Sequence, residues 1–129
     1  MIGGDIMLQA YSLNVDVAAD GNVPFNNVVV DKGCAEKLSG SGSIELNACG
    51  AYKVHVDGVA SASTTIQLIK DGVALPQAQS TGTTLGFETY VQVDRNNCRC
   101  SCSFQVVIQL RNTTAATFAN VNIVVEKIA

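Results

Sequence analysis

Five cysteines and a single histidine are the residues of this 129-residue chain whose types and spacing could do chemistry. Three of the cysteines, Cys98, Cys100 and Cys102, form a Cys-x-Cys-x-Cys run. Such a run raises three possibilities: a thiolate metal site, a redox pair, or a nucleophile. Geometry weakens the first two. Residues i and i+2 on an extended strand lie about 6.6 Å apart. Thiolates on a tetrahedral zinc each sit about 2.3 Å from the ion. One strand therefore cannot easily hand two of these thiols to the same metal, and no metal site is expected. The same spacing lies near the limit for a direct disulfide. Two readings stay open for Cys34, Cys49, Cys98, Cys100 and Cys102. The preferred one is buried thiols acting as small hydrophobes. The other is a cross-strand bridge from Cys34 or Cys49 to one of the three. With five cysteines, at least one must be free or pair outside the chain.

The element that carries the triplet supports the packing reading. From Cys98 to Leu110 every second residue is apolar or cysteine: Cys98, Cys100, Cys102, Phe104, Val106, Ile108, Leu110. The intervening residues are polar except Val107. A period of two means a half-buried β-strand, and the cysteines lie in phase with its core-facing side. His55 falls on the other kind of face. In Ala51–Asp57, Tyr52, Val54 and Val56 point one way while Lys53, His55 and Asp57 point the other. A Cys49–His55 nucleophile pair is thus a weaker reading than an exposed surface histidine. No Ser-His-Asp arrangement and no paired carboxylates appear, so no catalytic residue is assigned.

Other short motifs are equally modest. Gly40-Ser41-Gly42 sits in a Ser-rich loop and opens no helix, so it reads as a turn rather than a phosphate cradle. Asn112-Thr113-Thr114 has the form of an N-glycosylation sequon but reads as a polar turn. Tyr11, Tyr52, Tyr90 and Phe118 are candidates for a subunit interface, where aromatic anchors are favoured, with ordinary core packing as the alternative. No cofactor is implied.

Composition bounds the classes of function. Apolar residues make up 47% of the chain and charged residues 15%, which leaves little polar cover for a small monomer and points to self-association. Net charge is −3 and the eight Lys and Arg are scattered, so a nucleic-acid role is not expected. Unbroken apolar runs do not exceed three residues, against roughly 20 for a spanning helix, so no membrane insertion is expected. No basic stretch followed by an apolar one opens the chain, so no secretory signal is read. A protein of this kind acting outside a cell would be made in the cytoplasm and released by lysis or a non-standard route.

Turn signals recur at short spacing, at Asp20-Gly21, Lys32-Gly33, Asp57-Gly58, Asp71-Gly72, Thr81-Gly82 and Asn112-Thr113. The strands expected between them are Gln9–Val17, Val23–Val30, Ser43–Leu46, Ala51–Asp57, Ser63–Lys70, Val73–Gln79, Gly86–Asp94, Arg99–Arg111 and Val121–Ile128. Eight or nine such strands and no amphipathic helix predict an all-β antiparallel sandwich or jelly roll. Residues 1–8 read as a loose arm and 9–129 as one domain.

Several segments together resemble a known family. They are Ala10–Val17, Asn22–Asn27, Gly50–Val56, Thr65–Pro76 and Asn122–Ala129, in that order. The chain resembles the head domain of bacterial collagen-like proteins, such as the exosporium glycoproteins of bacilli, within the tumour necrosis factor-like jelly-roll superfamily. The resemblance implies a two-sheet jelly roll of about ten strands that forms a tight homotrimer. It implies a structural or adhesive role with no catalytic residues. Gly50–Tyr52 and the last strand would lie in the trimer-facing sheet. This chain lacks a collagen stalk and has added cysteines. A phage or prophage virion decoration or fibre head, displayed on a particle surface, is therefore the first expectation. A spore-surface adhesive head and a monomeric glycan- or ligand-binding module are the alternatives. Expected partners are further copies of itself, then a capsid, tail or spore-surface protein, and a host surface glycan.

Overall fold

The structure is a computed structural model that describes residues 7–32, 36–39, 42–47, 49–93 and 106–128. Nine strands occur among these residues, and no helix. They are β1 (Met7–Val17), β2 (Gly21–Asn22), β3 (Asn27–Lys32), β4 (Glu36–Ser39), β5 (Ser43–Leu46), β6 (Gly50–Lys70), β7 (Val73–Val93), β8 (Val106–Asn112) and β9 (Ala116–Lys127). Met7 and Leu8, expected in a loose arm, begin β1, because Leu8 is wholly buried.

All pairings are antiparallel, and the sheet curls on itself. The long strands β6 and β7 make the curl. The first half of β6 pairs with β9, from Tyr52 opposite Lys127 to Ala60 opposite Phe118. Its second half pairs with β8, from Ile66 opposite Asn112 to Lys70 opposite Ile108. The register breaks between Val59 and Thr64, where β6 crosses from one layer to the other. β7 follows it antiparallel along both halves. One layer is therefore β3-β1-β9-β6-β7 and the other β4-β5-β8-β6-β7, ten strand segments in all, with β2 extending the edge of β8. The expected two-sheet jelly roll is observed.

The core lies between the layers. Leu8, Val125 and Val54 stand in one row, and Ala10, Ile123 and Val56 in the next. They face Ile44, Ile66, Leu68, Ile108 and Leu110 of the other layer, all with at most 2% exposure. Each such fully buried side chain contributes about 1.5–3 kcal/mol.

Two of the expected turns are strand instead. The Asp57-Gly58 and Thr81-Gly82 pairs lie inside β6 and β7. Gly58 is needed for close approach: a Cβ there would meet the Asn120 carbonyl oxygen at 2.8 Å. A glycine inside a strand can mark such contact instead of a reversal. Gly82, at φ +133, sits where β7 crosses between layers. The Asp71-Gly72 turn is observed, with φ of 49 and 83, the two positive values that a tight right-twisting hairpin requires.

The β8 segment keeps the expected phase, with Val106, Ile108 and Leu110 buried. The part of this predicted strand from residue 98 to 105 lies outside the described residues.

Candidate interaction face

The outward face of the β3-β1-β9-β6-β7 layer gathers most of the side chains on which a function could rest. Direct cross-strand pairing sets them in rows. Met7, Glu126, Lys53 and Tyr90 form the first row. Gln9, Val124, His55 and Glu88 form the second, and Tyr11, Asn122, Asp57 and Gly86 the third. Leu13, Asn120, Val59 and Thr84 close the face at the crossing end. Residues directly opposite on neighbouring strands share a face, which is why four separate stretches of chain meet here.

The middle of this face is polar and internally paired. Lys53 Nζ lies 3.5 Å from Glu88 Oε2. His55 Nε2 lies 2.9 Å from Asp57 Oδ2, and its Nδ1 lies 3.7 Å from Glu88 Oε2. Gln9 Nε2 donates to Asn122 Oδ1 at 3.1 Å. Lys53 and Glu88 are roughly half exposed, so their ion pair is worth less than about 1 kcal/mol to the fold. These bonds orient the side chains toward one another, and Glu126 lies beside them in the first row.

Around them lie apolar groups without cover. Tyr90 is 61% exposed, Leu13 57% and Val59 41%. They stand at opposite ends of the face, with the paired charges between. Single exposed apolar residues are ordinary, but these share one face with Met7, Tyr11 and Val124, which are only partly covered. β7 flanks the face as an edge strand, paired only with β6 among the described residues. Such an edge can accept another chain.

The catalytic alternatives lose ground on this geometry. Cys49 is disulfide-bonded, which corrects the preferred reading of it as a free thiol and removes it as a nucleophile for His55. Both ring nitrogens of His55 face carboxylates, and no hydroxyl or thiol among the described residues bonds to either. Among the described residues no group of three His, Cys, Asp or Glu side chains could hold a metal. Cys34, Cys98, Cys100 and Cys102 lie outside the described residues.

Of the four aromatic interface candidates, Tyr90 is exposed and Tyr11 half-buried on this face. Tyr52 and Phe118 are wholly buried, because alternation turns Tyr52 inward on β6 and a register break turns Phe118 inward on β9. Residues that the sequence reading missed, Leu13 and Val59, take part in the face. Alternation from Gln9 through Tyr11 to Leu13 was the available signal.

Asn112 is also placed differently from a polar turn. It is wholly buried at the end of β8. Its Nδ2 donates to the Thr114 carbonyl at 2.7 Å and the Val17 carbonyl at 3.3 Å. An oligosaccharide has no access to that amide in the folded chain.

No protein-family model matches the chain, and no curated protein matches it in sequence. Solved structures do match in three dimensions. The globular domain of zebrafish complement 1qA superposes with a TM-score of 0.69 at 8% identity, over 92% of this chain and 94% of that one. Eiger TNF from S. frugiperda gives 0.68 at 12% identity, over 96% and 94%. The PRD1 vertex protein P5 gives 0.62 at 16% identity, over 97% and 98%. At such low identities the shared property is the path of the backbone, and the chain has the jelly-roll fold of the tumour necrosis factor and C1q domains.

Proposed function

We propose that this protein is a non-enzymatic structural head that assembles as a homotrimer and is displayed on the surface of a particle, a phage or prophage virion first of all. The observation that carries the reading is the outward face of the β3-β1-β9-β6-β7 layer. Leu13, Val59 and Tyr90 leave apolar surface uncovered there, and between them Lys53 is ion-paired with Glu88 and His55 is hydrogen-bonded to Asp57. A second copy that covers such a face meets side chains already hydrogen-bonded to one another, which lowers the cost of burying a polar surface. Low charge content favours the same outcome.

Neighbours in fold support the setting. They include the complement 1qA globular domain, Eiger TNF and the vertex protein of PRD1, and the last of these favours a virion over a spore coat. An obligate trimer of this kind would bury well over about 2,000 Å².

Native mass spectrometry tests the reading. The expected result is a species of about three times the 13.5 kDa chain mass. A monomer at micromolar concentration would overturn it and favour the ligand-binding alternative. The virion assignment is tested separately, by probing purified particles from the source strain with an antibody to this chain.

A further inference from the structure

We infer that the crossing end of the sandwich carries a shallow binding site for a neutral saccharide. The site is an open depression of about 600 Å³ whose lining includes Asp16, Ala18, Ser61, Ala115, Ala116 and Thr117. It is largely open to solvent, so it can touch one face of a ligand. Asp16 and Thr117 are paired across β1 and β9, at the opposite end of that pair from Met7 and Glu126. Ser61 comes from the segment where β6 passes between layers.

The concavity exists because three of its residues are alanines. Its polar groups are held in place by their mutual bonds. The Thr117 hydroxyl donates to Asp16 Oδ1 at 2.5 Å. The Thr117 amide donates to Ser61 Oγ at 3.0 Å. Three functions are left unused by these bonds: Asp16 Oδ2 as an acceptor, the Ser61 hydroxyl proton as a donor, and the Thr117 oxygen lone pairs. A vicinal diol matches this set. One hydroxyl donates to the carboxylate while its neighbour accepts from Ser61, and the C–H face of the ring rests on Ala18, Ala115 and Ala116.

The lining also rejects other ligands. It holds no Lys, Arg or His, so nothing compensates a phosphate or a carboxylate, and the Asp16 carboxylate repels both. Among the described residues it holds no aromatic ring, so a nucleobase, a quaternary ammonium and a sugar ring alike lack a stacking partner, and a sugar is held through its hydroxyls. A single site this shallow binds weakly. Three copies on one particle head would raise the effective affinity when the ligand is itself repeated on a surface. The site is built within one chain and does not depend on the proposed trimer.

Amide-resolved NMR of the ¹⁵N-labelled full chain tests it, with methyl glycosides of neutral hexoses and N-acetylhexosamines as probes and sialic acid and inorganic phosphate as the anionic arm. Neutral sugars should shift the amides of Asp16, Ala18, Ser61 and Ala115–Thr117. Asp16→Ala, an exposed change, should weaken the response by about tenfold or more. Ala116→Phe, which fills the depression, should abolish it. The inference is overturned if no neutral sugar moves these amides, if only the anions do, or if Asp16→Ala responds as the parent does.

Discussion

The Thr64 hydroxyl donates to the carboxamide oxygen of Asn112 at 2.5 Å, inside the core, at the point where β6 passes from one layer to the other. The same Asn112 donates to the carbonyls of Thr114 and Val17, and the Thr114 amide donates to Thr64 Oγ1 at 3.1 Å. One buried carboxamide thus ties β6, β8, the loop after β8 and the end of β1 together.

Replacing Asn112 should therefore be costly. Asn112→Ala removes the carboxamide that donates to the Val17 and Thr114 carbonyls, and leaves the Thr64 hydroxyl only its 3.1 Å bond to the Thr114 carbonyl. The expected loss is about 1–3 kcal/mol in chemical denaturation. Asn112→Asp should cost more, because it buries a charge with no cation beside it. Expression in a glycosylating host should add no glycan at Asn112 in folded protein, which intact mass would show.

Glycine contacts predict a contrast between two positions. Gly58→Ala drives a methyl group against the Asn120 carbonyl, which is backbone and cannot rotate away. A loss of about 1–3 kcal/mol is expected. Gly72→Ala meets no atom within 4 Å but must hold φ near +83. Its cost should be about 1–2 kcal/mol, from backbone strain alone. Thermal melts of both variants, with the hairpin-tip Val73→Thr as a neutral control, separate the causes.

Tyrosines on the two faces of one layer should behave in opposite ways. Tyr52→Ala opens a cavity in the core and should cost about 3–5 kcal/mol of stability. Tyr90→Arg alters an exposed side chain, so the protomer should stay folded while the proposed trimer dissociates. Leu13→Glu should act like Tyr90→Arg, from the other end of the face. Circular dichroism reports the fold and light scattering the assembly. A Tyr90→Arg protein of unchanged mass would show that the face is not the contact.

Thiol counting gives a sharp number. Cys49 is disulfide-bonded, and a bridge consumes cysteines in pairs. Of the five cysteines, no more than three should react in denatured, unreduced protein. Reduction should lower stability by about 2–4 kcal/mol. Five reactive thiols would contradict the bridge.

Much of the layering was legible in the residues, because a period of two is a local property. Tyr52, Val54 and Val56 read as one face and Lys53, His55 and Asp57 as the other, and the structure has both. The Asp71-Gly72 hairpin was legible for the same reason, since its two positive φ angles need only the residues at the turn. The errors came where a residue answers to distant chain. Gly58 looks like a turn until the Asn120 carbonyl is brought against it. Asn112 looks like a surface loop until Thr64 and Val17 close around it. Phe118 and Tyr52 look like interface anchors until the core claims them.

Alternation, turn chemistry and low charge in the sequence by itself determined an all-β sandwich with buried and exposed faces on each strand. The resemblance added the jelly-roll expectation. Which four stretches of chain share the outward face was decided only by the tertiary structure. Row membership depends on register, and register between strands far apart in sequence is set by the whole core. A one-residue slip would turn every side chain of a strand to the other side. Tyr90, His55, Val124 and Leu13 meet on one surface because the core holds β1, β9, β6 and β7 in a single register.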